Sequence, residues 1–393
     1  MPWKETCAMN ERKDFVLAVL RQEASLSELC RHWGVSRKTG YKWLERYEEE
    51  GRTGLLDRSH TPLTFPHRLD DVVSAAVLDL RARHPSWGPK KLRAWLETHR
   101  PSQDWPATST IGALLHARGL VVPRRRRPQV PPGQPFGTLA AANDTWTVDF
   151  KGWFRTADGE RCDPLTLQDA HSRYLLRCQA VKRPDGRCVW PIFDAAFREF
   201  GLPLRMRSDN GPPFATTAVG GLSTLAVRLI KSGVVPERIE PGKPQQNGRH
   251  ERFHLTLKRE TANPPAPSLR AQQRRFDSFR KLYNQERPHE ALGQTPPSQH
   301  YTPSPRRYSG RLREPEYAEG FEVRRVRHNG EIKWRGDMLY VGQVLCGEPV
   351  GCLLLDDDGN WALRYGPLDL GIIDATGRLH IPRRRRTTNR PTS

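Results

Sequence analysis

Apolar residues recur at helical spacing through the first third of the chain, run in short blocks through its middle, and return between glycines near its end. Over residues 10–60 the pattern predicts three helices. Phe15, Val16, Val19 and Leu20 give the first an inward face, and Ser27 caps a second with Leu29, Cys30 and Trp33 inward. Gly34-Val35-Ser36 then makes a tight turn, with Ser36 capping a third helix through Tyr47. Small Cys30 at the crossing, buried Val35 and an anchoring Trp43 give helix-turn-helix spacing. Arg37, Lys38, Tyr41 and Lys42 would then face a DNA major groove or its phosphates. Gly40 departs from that pattern, since a branched apolar residue is usual there and a mid-helix glycine costs about 1 kcal/mol. An ordinary three-helix bundle shares the same periodicity.

After the linker DRSHTPLTFP a second helical module is predicted. Leu69 to Arg83 turns Val72, Val73, Ala76, Val77 and Leu80 inward. Pro89 starts a helix holding Leu92, Trp95 and Leu96, and Thr108 caps one holding Ile111, Leu114 and Leu115. Its last helix carries few basic side chains, so it fits either a second DNA-reading unit or a protein-contact module. The stretch PRRRRPQVPPGQPFG comes next, an extended linker whose Arg124, Arg125, Arg126 and Arg127 can track a phosphate backbone.

From residue 143 the apolar blocks shorten to strand length. Strands are predicted at Trp146–Phe150, Arg161–Gln168, Tyr174–Val181, Leu202–Arg207 and Arg238–Glu240, and helices at Asp185–Phe200, Leu222–Ser232 and from Pro244 through Lys258. The order βββαβαβα describes a mixed sheet flanked by helices. Asp149 and Asp209 then end strands near its middle, with the Glu251 helix laid across them. Phe321–Val326, Glu331–Trp334, Met338–Tyr340 and Val350–Leu355 predict a small β-barrel, and PRRRRTTNRPTS a basic tail. The expected organisation is multidomain α+β: 1–60 helix-turn-helix, 66–122 second helical domain, 123–142 linker, 143–300 catalytic core with a following helix, 320–382 barrel and 383–393 tail.

Charge narrows the partner. Lys plus Arg number 64 against 44 Asp plus Glu, a formal net charge of +20, which favours a polyanion and above all nucleic acid. No apolar run reaches the ~18 residues that span a bilayer, the N-terminus lacks a signal-peptide core, and the seven cysteines form no CxxC pair. A reduced, cytoplasmic protein with no membrane partner is expected.

The stretch PQQNGRHERFHLTLK carries the chemistry. Phe253 and Leu257 make an apolar stripe, while Asn247, Glu251, His254 and Lys258 gather on another. By itself this is also what a solvated helix face looks like. Three converging carboxylates change the balance. Two such charges at ~4 Å repel by about 4 kcal/mol at an effective dielectric near 20, so a trio needs a cation. Hard divalent ions, Mg²⁺ above all, suit oxygen donors and leave sites for phosphate.

These motifs resemble those of DDE transposases of bacterial insertion sequences, in the retroviral-integrase superfamily with a ribonuclease H-like core. The resemblance runs through Trp43–Ser59, WTVDFKG, RSDNGPPF, QNGRHERFHLTLK and YNQERPHEALGQTPPSQHY. It implies that Asp149, Asp209 and Glu251 hold two Mg²⁺ ions (Mn²⁺ substituting), and that Lys258 contacts the element's terminal DNA. Asn247 is a further candidate DNA contact. It also implies double-stranded DNA partners, the terminal inverted repeats and the target, and a homo-oligomer acting at the nucleoid. The implied reaction is metal-dependent cleavage at the element's ends, then strand transfer. The gap from Asp209 to Glu251 is longer than is usual in the family, the excess falling in Thr216–Ser223. A helix-turn-helix regulator with a dead core and a ribonuclease H-type hydrolase are the alternatives; the first lacks a reason to keep all three carboxylates, the second lacks one for two helical modules.

Overall fold

The computed structural model describes residues 7–58, 69–121, 140–216, 219–239 and 248–381, with side chains from residue 250 in the last stretch. The chain divides into two compact units, Met1–Arg68 and Leu69–Ser393.

The first unit holds α1 (Ala8–Leu20), α2 (Leu26–His32) and α3 (Arg37–Glu50) around Phe15, Val16, Leu29, Cys30, Trp43 and Leu55. The cap of α2 is Ser25, not Ser27. Glu28 stands three residues after Ser25 and accepts from its backbone N–H and its hydroxyl at 3.0 and 2.7 Å, so a reciprocal capping box sets the start earlier. Leu20, the last residue of α1, is exposed, and Ala18 is buried in its stead. Ser36 caps α3 as expected, its Oγ accepting from Thr39 N–H at 3.1 Å. Gly40 has a packing reason: a Cβ there would lie 2.7 Å from Cys30 Sγ and 3.0 Å from the Phe15 ring. The helices cross too closely for any side chain.

The second unit begins with α4 (Asp71–Arg83), α5 (Pro89–His99) and α6 (Thr108–Ala117). Val72 is exposed, whereas Ser74 is buried beside Val73, Val77 and Leu80. Asp70 caps α4 through Val72 N–H, which sets the inward arc one position on from the expected one. Thr108 is the first helical residue of α6 rather than its cap. This module is seated on residues 260–290. Leu282 joins the cluster of Leu80, Trp87, Leu92 and Leu96. Lys90 pairs with Glu290 at 2.7 Å, Lys91 donates to the Pro288 carbonyl, and Ser86 donates to Glu260.

The central sheet contains β1 (Thr145–Phe150), β2 (Phe154–Arg155), β3 (Arg161–Asp169), β4 (Leu175–Val181), β5 (Arg205–Ser208) and β6 (Val235–Arg238). Its order is β4-β3-β1-β5-β6, with short β2 pairing the start of β3. The β4–β3 and β3–β1 pairs are antiparallel, while β1–β5 and β5–β6 are parallel. This mixed sheet is ribonuclease H-like. The last strand lies upstream of the predicted Arg238–Glu240, and β5 starts only at Arg205, because Leu202 and Pro203 serve in the loop before it. Against one face lie α7 (Gly186–Phe200) and α8 (Thr224–Lys231), closing on Trp146, Val148, Leu165 and Leu167. Against the other lie α9 (Gly248–Thr261) and α10 (Leu269–Gln285), closing on Cys162, Leu175 and Cys178.

The C-terminal segment adds β7 (Phe321–Arg325), the hairpin β8 (Glu331–Trp334) and β9 (Asp337–Tyr340), then β10 (Pro349–Leu354), β11 (Trp361–Tyr365), β12 (Leu368–Ile373) and β13 (Leu379–His380). Five of these form the antiparallel path β13-β12-β11-β10-β7 beside the hairpin. Their core is shared with α8: Ala226, Val227 and Ile230 cluster with Trp334, Leu363 and Leu370. Lys231 pairs with Glu348 at 2.6 Å at this seam. No helix among the described residues is long and apolar enough to cross a membrane.

These contacts carry two expected outcomes. Gly40→Ala should lower the stability of residues 1–68 to urea, because overpacking costs ~1–3 kcal/mol against the ~1 kcal/mol gained in helix propensity. On a Cys30→Ala background the same change should become neutral or stabilising; a gain in the wild-type background would contradict the crossing. A fragment of residues 140–310 should bind a hydrophobic dye strongly and aggregate, since it bares the outer face of α8. The same fragment extended by residues 311–381 into one chain, 140–381, should bind less dye and aggregate less, and equal behaviour of the two fragments would refute the shared core.

Candidate active site

Strand alternation positions the first two carboxylates. Trp146 and Val148 of β1 enter the core under α7, so Thr147 and Asp149 point to the face covered by α9. Asp149 pairs with Thr166 of β3. On its other side β1 pairs with β5 in parallel, Thr145 opposite Arg205 and Thr147 opposite Arg207. Asp149 and Asp209 each lie two residues beyond the last pair of this ladder. Asp209 comes directly after the last residue of β5, and its turn is tied to the end of β6 by Asn210 Nδ2 donating to the Ile239 carbonyl at 2.9 Å.

The α9 helix brings Glu251, His254 and Lys258 over this edge. His254 Nε2 lies 2.9 Å from Thr166 Oγ1, and Thr166 Oγ1 is 3.1 Å from the Asp149 carbonyl oxygen. His254 Nδ1 is 4.0 Å from Asp149 Oδ2, too far for a hydrogen bond. Burial, helped by His250 and Lys151, pushes the His254 imidazole down to about 3, so it stands neutral and this approach is no ion pair. His254 is therefore a packed, partly buried group and not a member of the exposed stripe. Glu251 is exposed one turn before it. Among the described residues no three His, Cys, Asp or Glu side chains stand close enough to hold a metal ion. Asp149, Asp209 and Glu251 are thus not drawn together around one point.

The donor set nevertheless fits a hard divalent cation. Burial raises the Asp209 carboxyl above its ordinary value, only partly offset by Gly211 N–H bonding its Oδ1 at 3.2 Å. A desolvated carboxylate of this kind gains from a cation beside it. Other acids of the region are committed elsewhere. Asp169 accepts from Asn143 N–H, Ser172 N–H and Ser172 Oγ at 2.8, 2.7 and 2.6 Å, which is a structural role. Asp163 binds Arg161, Asp158 binds Thr156, and Asp144 binds Ala141 N–H.

Lys258 is exposed on the same side of α9 as Glu251. It stands near enough to Lys151 to depress that ammonium, although burial depresses it more. Lys151, two residues after Asp149, carries only a weak sequence signal, that of a lone cation inside WTVDFKG. In the first unit Arg37, Lys38, Tyr41 and Lys42 all lie exposed along α3. Asn247 and Arg124, Arg125, Arg126 and Arg127 lie outside the described residues, as do most of the linker and the tail.

An integrase core in two consecutive stretches, preceded by helix-turn-helix helices, is the class this architecture defines. Models of the integrase core domain match residues 140–244 and 232–297, a helix-turn-helix domain model matches 11–62, and a homeodomain-like domain model matches 39–115. The chain is 30% identical over 243 residues to an uncharacterized 39.2 kDa protein of insertion element IS476 from Xanthomonas euvesicatoria, covering 61% of this chain and 67% of that one. It is 28% identical over 240 residues to an uncharacterized 31.7 kDa protein of insertion element IS407 from Burkholderia multivorans, covering 60% and 82%. A solved structure of the HTLV-2 integrase catalytic core domain in complex with magnesium matches 42% of this chain and 99% of its own, at 16% identity and a TM-score of 0.33. The chain belongs to the integrase-core family of bacterial insertion-element proteins.

Asp209 supplies a test by pH. Its carboxyl is raised in the fold, so the metal-free native state holds that proton more readily than the unfolded chain. The associated stability is present below the unfolded value, about 3.9, and is lost as pH rises through the folded one. Asp209→Asn should therefore melt higher than wild type in EDTA at pH 8, with the difference vanishing near pH 4. An equal or lower melting temperature at pH 8 would remove the desolvated charge from the account.

Proposed function

We propose that this protein is a DDE-type transposase, a polynucleotidyl transferase that cleaves DNA at the ends of a mobile element and joins them to a target. The observation that supports the reading is the parallel β1–β5 pairing, Thr147 opposite Arg207, from which Asp149 and Asp209 each follow by two residues, with α9 bearing Glu251 packed on the sheet. These three side chains would hold Mg²⁺, or Mn²⁺ in its place, as a two-ion site. When bound there, the metal supplies stabilisation of the attacking and leaving oxygens of an in-line phosphoryl transfer. Thr166 and neutral His254 hold β1 and α9 together at the point where Asp149 presents its carboxylate. Glu251, exposed on α9, would complete the set of carboxylates that hold the metal. Lys258 and Lys151 bind phosphates and do not ligate metal.

In this reading α3 reads the terminal inverted repeats through Arg37, Lys38, Tyr41 and Lys42. Asn247 and Arg124–Arg127 add DNA contacts along the chain between modules. The C-terminal sheets act as a small barrel that contacts DNA or a second copy of the chain, and the working form is a homo-oligomer in the cytoplasm, on the nucleoid. A regulator with a dead core is disfavoured, because Asp149, Asp209 and Glu251 are all retained.

Strand transfer of labelled repeat-end duplex with Mg²⁺ tests the proposal. Asp149→Asn, Asp209→Asn and Glu251→Gln should each cut cleavage and joining at least about a thousandfold, equivalent to about 4 kcal/mol of barrier, while repeat binding survives. Lys258→Ala should weaken joining and reduce the salt slope of binding by about one. A carboxylate variant that joins DNA at the wild-type rate would expel that residue from the site.

A further inference from the structure

Four residues beyond Asp149 the chain leaves Trp153 in solvent, 55% exposed, the only exposed tryptophan among the described residues. The other described tryptophans are buried or partly buried. Burying one rather than exposing it is strongly favoured, so an exposed indole held in a fixed place calls for an occupant. Its place is fixed. Gly152 takes φ +88°, a left-handed conformation that suits glycine, and turns the chain outward between β1 and β2. Phe154 then pairs with Cys162, and Ala157 N–H and Asp158 N–H bond the carbonyls of Ala266 and Pro267 at 2.9 and 3.1 Å. The hairpin that carries Trp153 is therefore pinned at both ends.

Cations ring the indole without covering it. The Arg161 and Arg155 guanidinium carbons lie 5.2 and 5.8 Å from its ring centre. Both lie over the ring in cation–π contact and are bonded elsewhere as well, Arg161 to Asp163 and Arg155 to the Gly159 carbonyl, while the indole keeps more than half of its surface in solvent. Lys151 lies two residues before Trp153, between it and Asp149. Exposed aromatic surface within basic groups is what a single-stranded nucleic acid uses: bases stack while phosphates meet the cations. A hydrophobic partner protein would instead have to bury these charges.

We propose that Trp153 is a stacking platform for an unpaired base of the DNA held at the Asp149 site, with Lys151, Arg155 and Arg161 receiving its phosphates. The inference rests on the DNA-processing function proposed above and adds a substrate feature to it, a frayed or overhanging end. Four residues of extended chain reach at most about 14 Å, about four base-pair steps of 3.4 Å. A base on Trp153 therefore belongs to DNA beside the reacting phosphate and not to a remote site.

The test is fluorescence anisotropy of the full chain in EDTA with a blunt duplex and with the same duplex carrying a short unpaired tail. Wild type should bind the tailed duplex roughly tenfold tighter, the scale of one or two stacked bases. Trp153→Ala should lose that gain and leave blunt-duplex affinity unchanged, while Trp153→Tyr keeps most of it. Trp153 is a surface residue, so melting temperatures of all three proteins should agree. A tail preference that survives in Trp153→Ala, or no preference in wild type, overturns the platform alone. A shift in oligomeric state on Trp153→Ala with tail preference intact overturns it in favour of a second copy of the chain. Failure of wild type to bind either duplex overturns the proposed function itself.

Discussion

Phe253 and Leu257 stand four residues apart on α9, and both are buried against Cys162 and Cys178 of the sheet and Phe276 and Phe279 of α10. Burying two such side chains is worth about 1.5–3 kcal/mol each, more than any exposed charge on the helix can return by rotating it. The azimuth of α9 is thereby fixed. At 3.6 residues per turn, His254 falls at the border of the buried arc, and Glu251 and Lys258 lie beyond it, about 20° from one another. The exposed acid and the exposed cation on one rim, with a neutral imidazole between that rim and Asp149, are consequences of where two apolar residues go.

The same economy ties the accessory elements to the core. The second helical module is seated on α10 and the loop after it through Leu282, Lys90 and Lys91. Burial pushes Lys91 down to about 8, a sign that its ammonium has left water to meet the Pro288 carbonyl. That module was open to either a DNA-reading or a protein-contact role, and at least its α4–α5 turn is spent on protein. On the opposite face α8 is apolar on both sides, serving the central sheet through Leu225 and Leu229 and the C-terminal sheet through Ala226, Val227 and Ile230. The Lys231–Glu348 pair at this seam stabilises little by itself, because desolvation offsets most of a buried pair's attraction. What it sets is register, since a displaced seam would strand a charge.

Legibility in the sequence tracks the strength of the local signal. The central strands and helices are readable because β3 is buried on both faces, β1 and β4 bury at least one, and all lie between turn signals. Errors fall where two local cues compete. Ser25 and Ser27 both stand near the start of α2, and only the spacing to Glu28 separates them. Val72 looks buried because the apolar run VV hides a one-position rotation of α4, and Ser74 rather than Val72 meets the core. Gly40 looks like a defect until Cys30 and Phe15 are seen against it, a three-body contact that no periodicity carries. The strands β11 and β12 escape the sequence because their apolar residues serve a core completed by α8, more than a hundred residues earlier. In the site, Asp149, Asp209 and Glu251 stand out by context. His254 reads only as one of the polar stripe, and Thr166 and Lys151 carry little signal, because their roles depend on contacts across β1, β3 and α9.

Charge is the last constraint to place. A net +20 on 393 residues gives a broad attraction for DNA, but screening over ~8–10 Å confines each exposed cation to its own neighbourhood. Many arginines are already spent inside the protein. Arg207 holds Glu237, Arg287 holds Glu260, and Arg177 holds Glu199. These pairs fasten elements to one another and contribute no excess field at the surface. Among the described residues, the segments that carry Asp149 and Glu251 also carry Lys151, Arg155 and Lys258, with Arg161 shared by Asp163. Net charge gives the molecule its broad attraction for a polyanion, and the placement of individual cations sets the field close to its surface.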